Sequence, residues 1–554
     1  MFLLLSDGIL CYSTEENALK LTRKNILIAT AITAATVKLF FAAVFYFSYF
    51  ESYHLVPGLD MQTLLRYSEW CSKDPYPPFF TFHRLTIFLV WLFNGQNHCV
   101  WAIFIIQSLI GIAGCLAMAD IALKLSGNRI AALACGIAGA LYLPFMVYEF
   151  SILKETFAVN FALFSFWCML YALRKRFSWK SSLLFGFSAF AAIEGRLAIM
   201  PFLGGMAVFC AVKMCRRKQF SKIFRAAPLP FLLLAGATVF NHNSGWPPSP
   251  FFSVLSYNIS QNVSRSPESE IATENTQSIS ATGIIATVNN AFKRIPRLFK
   301  YGEIPENHNI YFWCEKIPEL NFLPGPALIV PLGVAGIMIL LCSGEFKHRY
   351  GLLLLPVITL ALPLCAREVI GRYRLMLIPY FLMSAACAAV IFGKIKTPRK
   401  RGFALLGAGI GAFFSIHNGD VPLKVRASDY SAWAMAIENT PGSDPELIID
   451  AYIQYWEYGK SERAFRMTVD KALHYSRFSD AFAVCQQAEN SPAKINPDLI
   501  EYYYAWCFAM INQPENVEKH LRNIKNVHSL PPDARKNAFM LRDKTVEILK
   551  KLDR

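Results

Sequence analysis

Residues 79–93 read FFTFHRLTIFLVWLF, and whether this stretch crosses a membrane decides how the whole chain is threaded. It is short, rich in aromatics and carries His83 and Arg84. Such a block suits a helix lying in a membrane interface as well as one crossing it. A crossing helix needs ~20 mostly apolar residues. The blocks 25–50, 100–123, 129–148, 156–173, 197–213, 325–342, 373–392 and 402–416 meet that need, and 181–195, 227–241 and 350–365 are shorter spans. Basic residues near span ends mark the cytoplasmic side. They fall at Lys20, Arg23 and Lys24, at Lys124 and Arg129, at Arg174, Lys175 and Arg176, and in the stretches 213–225 (KMCRRKQFSKIFR), 346–349 (FKHR) and 394–401 (KIKTPRKR). With 79–93 in the interface, all six clusters share one side. With it spanning, the cluster at 124–129 and every later one change sides. The sequence thus predicts an all-α polytopic membrane protein of about eleven spans plus an interfacial helix, N-terminus inside and C-terminus outside.

Composition agrees. Of 554 residues, 54% are hydrophobic and 17% charged, against roughly 25% charged in soluble domains; the mean hydropathy is +0.33. The net charge of +16 does not indicate a nucleic-acid partner, because the cations lie between apolar blocks as topology determinants. None of the 14 cysteines forms a C-x-x-C pair, and Cys115, Cys135, Cys168, Cys210 and Cys387 lie inside apolar blocks, where cysteine behaves as a small hydrophobe. Neither a disulfide framework nor a metal site is expected. The opening MFLLLSDGIL has no basic region and too short an apolar run for a secretory signal. Three regions follow: a cytosolic segment 1–24, a membrane domain 25–416 with outer loops 51–99 and 242–324, and a soluble domain 417–554. In the last, 481–489 and 502–521 pattern as helix pairs, the second resembling a tetratricopeptide unit. Such a domain binds a protein partner or props its neighbour.

The threading gathers the polar residues outside the basic clusters on the outer face. Asp60 follows a Pro-Gly turn and precedes a helical pattern; by itself it reads first as a helix cap. Glu149, Lys154 and Glu155 stand between two apolar blocks. They are either a loop ion pair or functional groups at membrane depth. Arg196 divides two apolar stretches and either pairs with Glu194 or grips a phosphate. Arg367, Glu368, Arg372 and Arg374 run against the positive-inside bias; they snorkel to headgroups or form a phosphate-binding patch. No G-x-x-x-x-G-K-[ST], G-x-S-x-G or D-x-D motif occurs, which argues against a nucleotide-driven pump, an α/β-hydrolase and a nucleotide-sugar transferase.

In this order the elements resemble the GT-C superfamily of membrane glycosyltransferases that use polyprenyl-phosphate sugars, nearest the family 39 protein O-mannosyltransferases and aminoarabinose-transferase-like enzymes. The resemblance rests on Asp60 in the first outer loop, YPPFFTFHRLTIFL at 76–89, PFMVYEFSILKET at 144–156, the lone Arg196, and RYRLMLIPYFLMSAA at 372–386. Asp60 is followed by Met61 where many relatives have an acidic pair, and the loop 242–324 matches no pattern. The resemblance implies inverting transfer of a sugar from a polyprenyl phosphate to an acceptor hydroxyl on a protein, lipid or glycan. Asp60 would be the base. Arg372 and Arg374, then Arg196, with Lys154 and Arg84 behind them, would hold the donor phosphate. Glu149 or Glu155 would bind sugar hydroxyls or orient a cation, and Trp70 and Tyr76 would line the sugar site. No cofactor is implied, and a divalent metal is left open. Membrane lipids are the remaining partners. A bacterial inner membrane, with the site and C-terminal domain facing the periplasm, fits the tail and the absence of a eukaryotic retention signal. A transporter or flippase of a lipid-linked or anionic substrate, or a lipid-linked glycan polymerase or ligase, are the alternatives; no internal symmetry favours the transporter.

Overall fold

The computed structural model describes residues 22–72, 82–93, 96–174, 179–196, 199–216, 289, 293–303, 305, 308–342, 350–367, 371–417 and 425–552. The block 227–241, most of the loop 242–324, Tyr76 and Glu368 lie outside the described residues, as do the side chains of Trp70, Arg84, Glu194 and Arg367. The described residues are helical, with no strand among them. They divide into two compact units, Met1–Val44 with Thr63–Leu423, and Phe45–Gln62 with Lys424–Arg554. This division differs from the one read along the sequence, because residues 45–62 join the C-terminal helices rather than the membrane domain.

The helices of the first part of the chain are α1 (Arg23–Tyr46), α2 (Asp60–Ser72), α3 (Phe82–Leu92), α4 (Gln96–Ser126), α5 (Arg129–Leu141), α6 (Leu143–Glu149), α7 (Glu155–Arg174), α8 (Trp179–Gly195) and α9 (Met200–Arg216). After them come α10 (Ile310–Lys316), α11 (Pro326–Cys342), α12 (Gly351–Arg367), α13 (Gly371–Arg374), α14 (Ile378–Lys394) and α15 (Pro398–His417). Among the described residues, Arg23–Tyr46, Cys99–Ser126 and Pro318–Cys342 are long and apolar enough to cross a membrane, and α5 with α6 make a bent fourth. Shorter apolar helices run over Leu184–Ile193, Met200–Phe209, Gly351–Ala361 and Ile378–Lys394. Large apolar side chains stand outward on these helices; Leu39 is 71% exposed and Leu109 60%. Water would penalise such a surface, and lipid does not. The chain is an all-α, multi-pass membrane protein.

Two ion pairs fix the threading at its start. Arg23 Nε donates to Asp120 Oδ1 at 2.7 Å, and Lys124 Nζ lies 2.5 Å from Asp120 Oδ2. The basic ends of α1 and α4 therefore lie together, so the chain between them returns to the side it left. α3 has 11 residues, about 16 Å at 1.5 Å per residue, against a hydrocarbon core of about 30 Å. It is too short to cross, as the charge pattern requires. α4 hands over to α5 in two residues. Gly127 takes φ +69°, and the Asn128 side chain accepts from Ala131 N at 2.9 Å, capping the new helix.

Two blocks expected as single spans are broken. The 129–148 block bends by 50° between α5 and α6. Pro144 has no N–H to donate, and Leu143 N donates to the Pro324 carbonyl at 3.1 Å instead of to its own helix. The 373–392 block is interrupted over Leu375–Leu377, where Leu377 N bonds Arg374 O (2.9 Å) in a tight turn before Pro379 opens α14. That break leaves Arg372, Tyr373 and Arg374 on their own short turn. Close helix approach in this unit uses small residues: a Cβ on Gly336 of α11 would stand 2.7 Å from the Ala385 backbone of α14.

In the second unit the helices are α16 (Ala427–Asn439), α17 (Pro445–Gly459), α18 (Glu462–His474), α19 (Phe478–Glu489), α20 (Pro497–Met510), α21 (Pro514–Asn523) and α22 (Pro532–Leu552). Each packs on its neighbour in sequence. The ends are written locally: the side chains of Asp444, Ser461 and Asn496 accept from backbone N–H groups, and Pro445, Pro497 and Pro514 sit in first turns. Trp456, Phe465 and Tyr503 form a continuous aromatic core, with ring centroids 5.8 and 5.3 Å apart.

Candidate functional site

The membrane unit brings three of the residues singled out in the sequence into one cluster. α7 begins at Glu155, whose carboxylate sits where the helix dipole favours negative charge. The linker before it is pinned, with Gln107 Nε2 donating to Ser151 O at 2.8 Å and Thr156 Oγ1 to Tyr148 O at 3.1 Å. α8 ends at Gly195, and a Cβ there would stand 2.9–3.1 Å from Ala158 atoms of α7. Lacking one, the helix end comes close enough for Arg196 to reach Glu155. Arg196 Nη2 donates to Glu155 Oε1, Arg196 Nη1 donates to the Tyr373 hydroxyl at 3.3 Å, and the guanidinium lies 4.5 Å from the Tyr373 ring centre. Arg372 Nε lies 3.8 Å from the same Glu155 oxygen, with its guanidinium 5.4 Å from the Tyr373 ring.

Two guanidiniums thus face one carboxylate. The Glu155 side chain is 1% exposed, while those of Arg196 and Arg372 are 13% and 14% exposed. Arg196 Nε and Glu155 Oε2 have no hydrogen-bond partner among the described residues. The cations keep an edge toward solvent and the anion does not. Guanidiniums fixed in this way present donors of the kind that suit carboxylate and phosphate oxygens. Of the two readings of Arg196 from the sequence, an ion pair with Glu194 or a phosphate grip, the first falls on a side chain outside the described residues; Glu155 is the carboxylate that Arg196 meets among them.

Arg374, two residues further on, does something else. It is 1% exposed, donates to Glu303 Oε2 at 2.7 Å and to the Lys300 carbonyl, and so fastens the 300–303 stretch. Glu303 N donates to the Tyr311 hydroxyl at 2.8 Å, and burial pushes that phenol up to about 12. Arg372 and Arg374 read as a pair along the sequence but serve different partners.

Glu149 also stands apart from the cluster. It is buried in an ion pair with Lys38 of α1, beside Gly111 of α4, where an added Cβ would run into both charged groups. Lys38, Glu303 and Tyr373 were not singled out in the sequence. Lys38 carried the one available signal, an ionisable residue within an apolar span. Lys154 is half-buried next to Glu155. Arg84 and Trp70 lie on α3 and α2.

Asp60 belongs to the second unit. The chain enters it by a turn over Val56–Leu59, with Leu59 N on Val56 O at 3.3 Å and Gly58 at φ +85°. Pro57 and Gly58 are the residues such a type II turn demands. Asp60 is the first residue of α2 and exposed; Gln62 Nε2 donates back to Leu55 O at 3.1 Å. Among the described residues no group of three or more His, Cys, Asp or Glu is placed to hold a metal.

No protein-family model matches the sequence, and no curated protein matches it. Among solved structures the chain is similar to the crystal structure of the Archaeoglobus fulgidus oligosaccharyltransferase, described as its complex with zinc and sulfate. The identity is 14%, over 78% of this chain and 56% of that one, with a TM-score of 0.37. This chain spans a little over half the length of that structure, and the likeness is too remote to carry a fold assignment.

Proposed function

We propose that this protein is a GT-C-like membrane glycosyltransferase that moves a sugar from a polyprenyl-phosphate donor to an acceptor hydroxyl on the outer side of a bacterial inner membrane. The observation that supports this reading best is the Glu155–Arg196–Arg372–Tyr373 cluster, in which two partly exposed guanidiniums are held around one buried carboxylate. In this reading Arg196 and Arg372 hold the donor phosphate, while Glu155 and Tyr373 orient the two guanidiniums. Arg374 is a positioning residue that ties the 300–303 stretch to the turn carrying Arg372. Asp60 is the base, an assignment carried by its place in the motif order. In the reaction the acceptor oxygen attacks the anomeric carbon as its proton passes to Asp60. The bond from that carbon to the phosphate oxygen breaks, and its electron pair stays on the phosphate. Charge then grows on that oxygen, and fixed cations that meet growing charge are worth the most to catalysis.

The test is turnover of the purified full-length protein in nanodiscs against a panel of polyprenyl-phosphate sugars, read as release of polyprenyl phosphate. One donor is expected to be consumed. Arg196→Ala and Arg372→Ala each lower kcat/KM by about 10²–10³, and Asp60→Asn by about 10²–10⁴. Silence across a broad panel, or donor translocation without cleavage, would replace the enzyme by a transporter.

A further inference from the structure

The C-terminal helices would ordinarily be read as an appended module for a protein partner, but their packing points inward. The segment Tyr49–Leu55, a 3-10 helix between α1 and α2, belongs to the same compact unit. Its buried residues are Phe50, Ser52, Tyr53 and His54, and Phe50 is wholly inaccessible. The surface that buries them is α16. Trp433 packs against Phe50 and Tyr49, with ring centroids 4.8 and 5.6 Å apart. Thr440 Oγ1 donates to the Ala436 carbonyl at 2.8 Å and shares a hydrogen bond with Ser52 Oγ at 2.6 Å. Tyr53 is buried too, and Asp429 in the first turn of α16 is held by Arg426 at 2.7 Å.

From this anchored segment only the four-residue turn separates Asp60. That turn leaves little freedom. Val56 is 1% exposed, Pro57 fixes one dihedral, and the Gln62–Leu55 bond staples the start of α2 back onto the anchor. A clamp on Tyr49–Leu55 is therefore a clamp on Asp60. Resting on the reading of Asp60 as the base, we propose that the C-terminal helical unit is the positioning element for Asp60, with Trp433 and Thr440 the residues that hold its segment in place. The ligand of the α16 face is then this chain's own 49–55 stretch, and no separate protein is needed to explain the aromatic surface it presents.

Geometry and catalysis are tested in the full-length protein by separate measurements. A Ser52→Cys, Thr440→Cys double variant is expected to form a disulfide, identified by mass spectrometry of the joined peptides; free thiols at both positions under oxidation overturn the clasp. For catalysis, Trp433→Ala removes the ring on Phe50, and Thr440→Val keeps shape but loses the hydroxyl. Misplacement of a reacting group by 1 Å costs about 100-fold. Trp433→Ala is expected to lose that much kcat at saturating donor with the donor KM unchanged, Thr440→Val to lose less, and Trp433→Phe to restore most of the activity. A purely structural role would instead lower the amount of folded protein and leave kcat per folded molecule intact. If Asp60→Asn is inactive while Trp433→Ala and Thr440→Val turn over as wild type, the positioning role is wrong and the base reading stands. Wild-type turnover in Asp60→Asn overturns the base reading itself and, with it, the positioning role, whatever the disulfide shows.

Discussion

Replacing Lys38 by methionine keeps the length of the side chain and removes its charge, which strands Glu149. Both side chains are nearly inaccessible, at 5% and 4%, and no second ion-pair partner of Glu149 occurs among the described residues. Gly111 offers backbone only. An unpaired buried charge of this kind costs about 3–5 kcal/mol, so Lys38→Met is expected to lose that much in reversible unfolding in mixed micelles. Glu149→Gln alone strands the ammonium and costs a similar amount. The double variant removes both charges, and about 2–3 kcal/mol of the summed loss should return as coupling between the sites. Measured coupling below about 0.5 kcal/mol would mean independent sites and would refute the pairing. The same variants separate the two glutamates functionally. Because Glu149 lies outside the arginine cluster, Lys38→Met/Glu149→Gln keeps its donor KM, whereas Glu155→Gln, which loosens Arg196 and Arg372 together, raises it.

Two further outcomes follow from local geometry. Gly195→Ala drives a methyl against the Ala158 backbone and parts α8 from α7, so it is expected to cost about 1–3 kcal/mol and to raise the donor KM, while Gly204→Ala, with nothing within 4 Å, changes neither. Burial raises the carboxyl of Asp470 above its usual value, although the Tyr503 hydroxyl donating to it at 2.8 Å opposes the shift. A carboxyl raised in the folded state holds its proton more tightly there than when unfolded, so stability falls as pH climbs from about 4 through the folded value. Asp470→Asn should flatten that part of the melting profile of the full-length protein, and an unchanged slope would exclude Asp470 as its source.

The membrane architecture was legible because charge is scarce in this chain and each exception stands out. Arg23 and Lys124, from two of the basic clusters, proved to share an end through Asp120, and the short aromatic block at 82–92 is a helix too brief to cross. Arg196, Glu155 and Arg372 were visible for the same reason, as ionisable groups where apolar residues prevail. Their pairing was not visible, since 41 positions separate Glu155 from Arg196 and only the missing Cβ of Gly195 makes the approach possible. The bend at Tyr142 was announced by Pro144 but masked by the unbroken hydropathy of 129–148. Glu303 sits in a polar loop with no periodicity to single it out. The docking of Tyr49–Leu55 on α16 leaves no local trace, because each partner reads as an ordinary amphipathic stretch.

The clasp also has a consequence for biosynthesis. Ser52 and Thr440 are 388 positions apart, and at a synthesis rate of about 5–20 residues per second the first waits roughly 20–80 s for the second to be made. During that interval the α16 surface that packs on Phe50 and meets Ser52 does not yet exist. A chain that stops before α16 can insert its spans yet never acquires that surface, so the seating of Tyr49–Leu55 waits for the helices made last.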